Sequence, residues 1–333
     1  MLSTCRPLLL CCLLTGAVDA SAAHAPSSGA AAPSASAAAA GSAPGRTAGI
    51  TVYAAGDIAD CRYSRPQFSG AARTAGLVEA GLAQDAGAVV LSLGDHTYPE
   101  GVAAEFQHCY QPTWGRFKAR THPAPGNHEY ATRDAGGYFD YFGAQAGPDR
   151  RGYYSFELGA WHLVSLNSDL HGAADAAQLL WLKDDLARHR AHCTLAYWHA
   201  PLYSSGGHAA STHMRAVWRA LVDAGADVVL SGHDHDYERF APQDADGRAD
   251  AARGIRQFVA GTGGAFLTPM RWPRPNSEVR GNSHHGVLKL VLGDAGYAWD
   301  FLSADDPAAA PDFPPPALRD SGSAPCHQTA PGD

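Results

Sequence analysis

No apolar run in this 333-residue chain reaches the roughly 18–20 residues that a membrane-spanning helix needs. Charged side chains are scarce, at 17% of residues, and basic ones are outnumbered, 25 Lys and Arg against 33 Asp and Glu. A net charge of −8 excludes the basic footprint by which proteins hold nucleic acid. Cys-x-x-Cys is missing, which removes the usual structural zinc site. Gly261-Thr262-Gly263-Gly264 has the glycines of a phosphate loop, but no Lys-Ser or Lys-Thr follows. A tight turn is the expectation there. Internal repeats are absent, and so is any linker within 48–302.

What is present begins with an address. Residues 1–20 carry a single basic residue, Arg6, then a mostly apolar stretch over 7–18, then the small residues Val18 and Ala20. That order predicts an export signal cleaved after Ala20. Residues 21–47 are almost wholly Ala, Ser, Pro and Gly, a disordered linker with too little apolar bulk to fold. Residues 48–302 read as one mixed α/β domain, and 303–333 as a Pro-, Ala- and Asp-rich surface tail. Export implies a secreted or periplasmic protein and an oxidising compartment. Four cysteines remain after the signal: Cys61, Cys109, Cys193 and Cys326. They allow three pairings. Cys61 and Cys109 each stand a short way past a polar loop, which favours that pair and leaves Cys193 to pin the tail through Cys326.

Ile50–Ala55 and Ala88–Leu93 are short apolar runs joined by a helical pattern over 69–87, with Ala71, Ala75, Val78 and Leu82 on one face. Strand, helix, strand predicts a parallel pair. Residues 153–158 and 161–166 flank Gly159-Ala160 as a hairpin. A helix follows near 175–188, a strand at 194–198, and a helix over 212–224 with Ser211 as N-cap and Gly225 as stop. Further strands are expected at 227–230, 255–260, 286–292 and 298–302.

Polar residues fall where these runs end. Asp57, Asp95, His199 and His233 directly follow apolar strands, and Asn127 and His128 follow a short segment at 122–125. Open α/β sheets bind ligands at the carboxyl ends of their strands. His233 and His235 are two apart, and in an extended loop both rings would point the same way. A set of Asp, Asn and His suits transition ions with mixed N and O ligands, and excludes calcium, which takes oxygen alone. Six such groups exceed one catalytic ion with an open position. Two ions bridged by a carboxylate fit better, the arrangement used for in-line phosphoryl displacement.

Five blocks in order, GDIA (56–59), GDHTY (94–98), GNHE (126–129), AYWH (196–199) and GHDH (232–235), resemble the calcineurin-like metallophosphoesterase signature. Tyr98, HAPLYSSGGH (199–208) and GHDHDYER (232–239) resemble its purple acid phosphatase branch. GVLKLVLGDAGYAWDFL (286–302) and DSGSAPCH (320–327) are similar to secreted bacterial members. The resemblance implies a four-layer α/β/β/α sandwich of two mixed sheets flanked by helices. It implies Asp57, Tyr98 and His235 on a first ion, Asp95 bridging, and Asn127, His199 and His233 on a second. His128 and His208 would contact the substrate phosphate and its leaving group. The implied cofactors are Fe(III) in the Tyr98 site beside Fe, Zn or Mn. A phenol of pKa about 10 ligates only where a strongly Lewis-acidic ion removes its proton, which agrees with Fe(III).

The implied activity is hydrolysis of small phosphate monoesters to inorganic phosphate by a metal-bound hydroxide. Two alternatives stand beside it. One is a phosphodiesterase acting on nucleotides or phospholipid head groups. The other is a catalytically silent phosphate-binding surface protein, against which seven intact ligand positions argue. Thr97-Tyr98-Pro99 replaces the Asp-Arg-Gly of related protein phosphatases, which sets that reading aside. Plant members carry an N-terminal β-sandwich, and with only a linker before Ile50 that domain is not expected. His96 is expected to face solvent. Ala200 and Leu202 stand where relatives are often polar. His213, His284 and His285 read as surface or pocket rim, and Arg239 as a loop anchor paired with a carboxylate.

Overall fold

In the strand Ile50–Ala55, Val52 and Ala54 turn to one side and Tyr53 and Ala55 to the other, and both sides are buried. Val89–Leu93 repeats the pattern, with Leu91 and Leu93 on one side and Val90 on the other. Strands covered on both faces read as continuous apolar runs, which is why these were legible. The computed structural model describes residues 49–62, 65–208, 210–304 and 318–327, all within a compact unit spanning 46–333. The expected export signal and linker lie outside the described residues.

Six strands form the first sheet, in the spatial order Ser321–Pro325, Gly296–Ser303, Gly286–Gly293, Ile50–Ala55, Val89–Leu93, Thr121–Ala124. The last three are mutually parallel and the rest antiparallel. Seven form the second, in the order Ser277–Gly281, Tyr237–Phe240, Arg256–Ala260, Val228–Ser231, Cys193–Tyr197, Trp161–Ser165, Tyr154–Leu158. Its four strands from Arg256–Ala260 to Trp161–Ser165 are parallel. Val52, Leu91 and Leu288 of the first sheet share one buried cluster with Leu163, Leu195, Leu230 and Phe258 of the second. The outer face of the first sheet is covered by the helix Gly70–Gln84 and by residues 106–146. The outer face of the second is covered by the helices Ala173–Arg188 and Arg215–Asp223. These are the four layers the sequence implied.

Local signals match in detail. Ser69 caps Gly70–Gln84, its side chain accepting from the Ala72 amide at 3.2 Å. That helix ends at Gln84, before the expected stop at Gly87. Residues 212–224 divide into a 3₁₀ turn, Thr212–Met214, and the helix Arg215–Asp223, and the Ser211 side chain makes no capping bond. Gly225 has φ 78° and ends the helix as expected. The strands Tyr237–Phe240, Ser277–Gly281 and Ser321–Pro325 were not anticipated. The last corrects the reading of 303–333 as surface tail, because it completes the edge of the first sheet. Cys61 is bonded to Cys109, and Cys193 to Cys326 beside that edge strand. Arg239 pairs with Asp320 at 2.7 Å and with Glu278, so it anchors the same region.

His162 sits buried in the second sheet with Nδ1 2.7 Å from Glu157 and Nε2 2.7 Å from Asp185. His189 stacks on its ring at 4.8 Å. Burial lowers the pKa of His162, but the bonds to Asp185 and Glu157 outweigh it and hold the ring above its usual value. A raised folded pKa adds stability that is full below the unfolded pKa of about 6.5 and is lost as pH rises through the folded value. His162→Gln is therefore expected to cost about 1–3 kcal/mol at pH 5.5 and much less at pH 9. Urea unfolding at the two pH values measures this, and an equal loss at both would contradict a charged ring.

Candidate metal centre

Parallel strands carry their following loops to one edge, and that is where the polar residues meet. Asp57 follows Ile50–Ala55, Asp95 follows Val89–Leu93, and Asn127 follows Thr121–Ala124. His199 follows Cys193–Tyr197, and His233 and His235 follow Val228–Ser231. The first two loops are zipped together. The amides of Asp57, Ile58, Ala59 and Cys61 donate to the carbonyls of Gly94, Asp95, His96 and Tyr98. This register carries Tyr98 back to Asp57. Asp57, Asp95 and His233 all have positive φ, at 60°, 47° and 72°. Such backbone is uncommon outside glycine and persists where surrounding structure demands it. A Cβ on Gly94 would lie 2.6 Å from His199 Nδ1, and one on Gly126 would lie 2.3 Å from Asp95 Oδ1. Only glycine lets these loops approach so closely.

Two groups of side chains share Asp95. The Tyr98 hydroxyl lies 2.8 Å from Asp57 Oδ1, 3.0 Å from His235 Nε2 and 3.1 Å from Asp95 Oδ2. His199 Nε2 lies 3.2 Å from the same Asp95 Oδ2, 3.1 Å from Asn127 Oδ1 and 3.1 Å from His233 Nδ1. Asp95, His199 and His233 also present ligand atoms within 4.8 Å of one another. His233 and His235 do not point the same way as expected. The positive φ at His233 breaks the extended path and sends one ring to each group. His128 stands against Tyr98, with ring centres 4.3 Å apart, and Nε2 is 3.9 Å from Asp95. His208 stands against His233, with ring centres 4.5 Å apart.

The chemistry of these donors fits a pair of cations. His199 Nδ1 faces the Leu93 carbonyl at 2.8 Å, and His235 Nδ1 faces that of Phe266 at 2.6 Å. Each ring spends its Nδ1 hydrogen there and, when neutral, turns a bare Nε2 lone pair on carboxylate, amide or phenol oxygens. Such a cluster of acceptors needs positive charge at its centre. Without metal, a proton has to serve. Burial opposes it, but Asp95 pushes the His199 pKa up to about 10. Burial also opposes the charges on Asp57 and Asp95, yet His235 and His199 hold both carboxyls below the usual carboxylate range. His233 is pushed down to about 4 by burial and by His199. Burial, then Asp57 and Asp95, drive the Tyr98 phenol far above its usual value.

A family model described as calcineurin-like phosphoesterase matches residues 50–237, the stretch that supplies every one of these side chains. The chain belongs to the calcineurin-like phosphoesterase family.

Curated relatives of this family member lie in the purple acid phosphatase branch. Purple acid phosphatase 15 of Arabidopsis thaliana is 30% identical over 192 residues, covering 45% of this chain and 35% of that protein. Purple acid phosphatase 22 of the same plant is 34% identical over 158 residues, covering 44% and 36%. The match thus spans about a third of those relatives. Among solved structures, a purple acid phosphatase from yellow lupin seeds aligns with a TM-score of 0.60 at 19% identity, over 84% of this chain and 54% of that one. GAP50, the anchor in the inner membrane complex of Plasmodium, aligns with a TM-score of 0.61 at 13% identity, over 84% and 89%. Identities this low show the fold alone.

Two carboxylates behind the calcineurin-like loops were missed from sequence. Glu129 is fully buried and accepts from the amides of Asp95 (2.9 Å), His96 (2.8 Å) and Gly126 (2.8 Å). It locks the second loop to the third. Asp234 accepts from the His208 amide at 2.8 Å and faces His208 Nδ1 at 3.0 Å, with Ser204 on its other oxygen. That leaves His208 Nε2 free to face outward. His96 is a correction. It is fully buried, bonded to Ser92 at 2.8 Å and boxed by Phe106, Tyr110, Tyr138 and Phe142. The aromatic cover over the first sheet turns it inward. Leu202 packs in the core cluster of the second sheet. His213 bonds to the Ser168 carbonyl, and His285 to that of Ala265. Gly263 donates to the Gly56 carbonyl at 2.9 Å, so the Gly261–Gly264 segment is a close-packed turn beside the Asp57 loop.

Proposed function

We propose that this protein is a secreted hydrolase of phosphate monoesters working through two metal ions. Asp57, Tyr98 and His235 hold the first, Asn127, His199 and His233 the second, and Asp95 both. The observation that carries the reading is the single oxygen Asp95 Oδ2, 3.1 Å from Tyr98 on one side and 3.2 Å from His199 on the other. When bound, the ions polarise the phosphoryl oxygens and lower the pKa of water into the working range. The protein's own groups do the rest. Asp95, fixed by the His128 amide at 2.9 Å, sets the spacing of the two sites. His128, held through Nδ1 by the Pro99 carbonyl, offers Nε2 toward the open edge. His208, held by Asp234, does the same from the His233 side, where it delivers a proton to the departing oxygen. Tyr98, a phenol that burial and two carboxylates keep protonated without metal, yields its proton only to a strongly Lewis-acidic ion, which selects Fe(III) for its site. Two disulfides suit an oxidising compartment, and among the described residues no helix is long and apolar enough to cross a membrane.

The test is a comparison of initial rates on a chromogenic phosphomonoester and the matching diester from acid to alkaline pH. Monoester preference with an acidic optimum is expected. Diester preference or an alkaline optimum would replace this reading with the phosphodiesterase and divalent ions. Tyr98 carries its own signature. The iron-loaded protein should show a broad visible charge-transfer band that vanishes in Tyr98→Phe. A colourless, active, iron-free enzyme would refute the Fe(III) assignment.

A further inference from the structure

Four large apolar side chains are exposed among the described residues, and two of them, Phe266 at 52% and Trp272 at 90%, lie on one segment beside the metal centre. Leaving such a ring in water forgoes about 1.5–3 kcal/mol of burial. The segment is tied down along its length. The amides of Ala265, Thr268 and Arg271 donate to the carbonyls of Asp57 (2.9 Å), His235 (3.1 Å) and Ser205 (2.8 Å), and that of Arg274 to Ser205 Oγ (2.8 Å). It therefore forms a wall from the Asp57 loop, past His235, to the loop that bears His208. The Phe266 carbonyl accepts from His235, and its ring lies 5.0 Å from the His235 ring. The Arg62 guanidinium sits 5.4 Å over Phe266 and is itself forked on Asp60 at 2.8 and 2.6 Å. Residues 261–277 contain Arg271 and Arg274 and no acidic residue.

We propose that this wall is a leaving-group subsite for phosphoesters whose alcohol carries an aromatic ring, with Phe266 as the stacking face. The inference rests on the phosphate being held at the dinuclear centre and deepens that reading. An aromatic face 5.0 Å from the ring of His235, a residue of the proposed first metal site, meets whatever the phosphate is esterified to. A glycerol phosphate has no ring to lay on such a face, whereas an aromatic ring gains an offset or edge contact.

The experiment uses the full metal-loaded chain and benzyl, cyclohexylmethyl and ethyl phosphates, which share an alkoxide leaving group and differ in the ring. Binding of benzylphosphonate and ethylphosphonate by calorimetry runs beside it and needs no turnover. Wild type should favour benzyl over cyclohexylmethyl phosphate by about tenfold in kcat/KM, carried by KM. Phe266→Leu, which keeps an apolar side chain, should bring that ratio close to one with both metals retained. An unchanged ratio in Phe266→Leu and Phe266→Ala would overturn the subsite. Benzylphosphonate binding that depends on Phe266 without any hydrolysis would uphold the subsite and refute the hydrolase. Hydrolysis with no preference for the ring would do the reverse, and neither binding nor hydrolysis would overturn both.

Discussion

Asp95→Asn is expected to lose metal and activity together, with kcat/KM falling by more than about a thousandfold. Removal of an outer partner alone costs about 10–100-fold in metal affinity or activity, and in the proposed centre Asp95 serves both ions at once. Asparagine has nearly the same shape, so the buried site stays filled and Oδ1 still accepts from the His128 amide. The charge is gone, and an NH₂ group takes the place of the oxygen shared by Tyr98 and His199. Its hydrogens would point at cations. Elemental analysis of the purified variant, with circular dichroism to show an unchanged fold, reads the effect. A variant that keeps two ions per chain would mean that the bridge lies elsewhere.

Glu129→Ala should be nearly as damaging, and by another route. Three backbone amides converge on this one carboxylate, and alanine would leave all three buried without an acceptor. At about 1–3 kcal/mol for each orphaned donor, the loss approaches the whole stability margin of a typical domain. Glu129→Gln keeps one good acceptor oxygen and is the informative variant. It should unfold at a clearly lower urea concentration and bind metal more weakly, while substrate contacts stay intact. A midpoint equal to wild type would show that the loop pair is held by its backbone ladder and not by Glu129.

Asp57, Asp95, His199 and His233 were legible because each follows closely on a strand buried on both faces, whereas Tyr98 was named only through the family resemblance. A continuous apolar run followed by Gly-Asp, Gly-Asn or Gly-His announces both the strand and its carboxyl end. The parallel order then does what sequence distance hides. The cover over residues 103–150 was illegible for the opposite reason. It is built from short 3₁₀ and π turns and the two-turn helix Gly136–Phe142, none long enough to show a period, and its order comes from Phe106, Tyr110, Tyr138 and Phe142 closing around His96. Ser277–Gly281 and Ser321–Pro325 escaped notice because edge strands with exposed side chains need no apolar pattern. Glu129 and Asp234 stood in plain view inside their blocks. Nothing in the letters says that one gathers three amides or that the other faces a histidine 26 residues upstream.

The two sheets are drawn from the chain in different ways. Every strand of the second comes from one continuous stretch, Tyr154 to Gly281. The first takes Ile50–Ala55 and the two strands parallel to it, Val89–Leu93 and Thr121–Ala124, from residues 50–124, and the three strands on the other side from residues 286–325. As the chain emerges, then, the second sheet can assemble before residues 286–325 have arrived. The strand that leads into the Asp57 loop must wait with one flank bare until Gly286–Gly293 arrives. Closure of long loops is slow and leaves edges open to wrong partners. A chain cut short after Gly281 would keep every residue of the centre and still lack the strand that holds Asp57 in place. The place of Asp57 thus depends on strands drawn from both sides of the second sheet's stretch of chain, with Cys326 bonded to Cys193 beside the outermost of them.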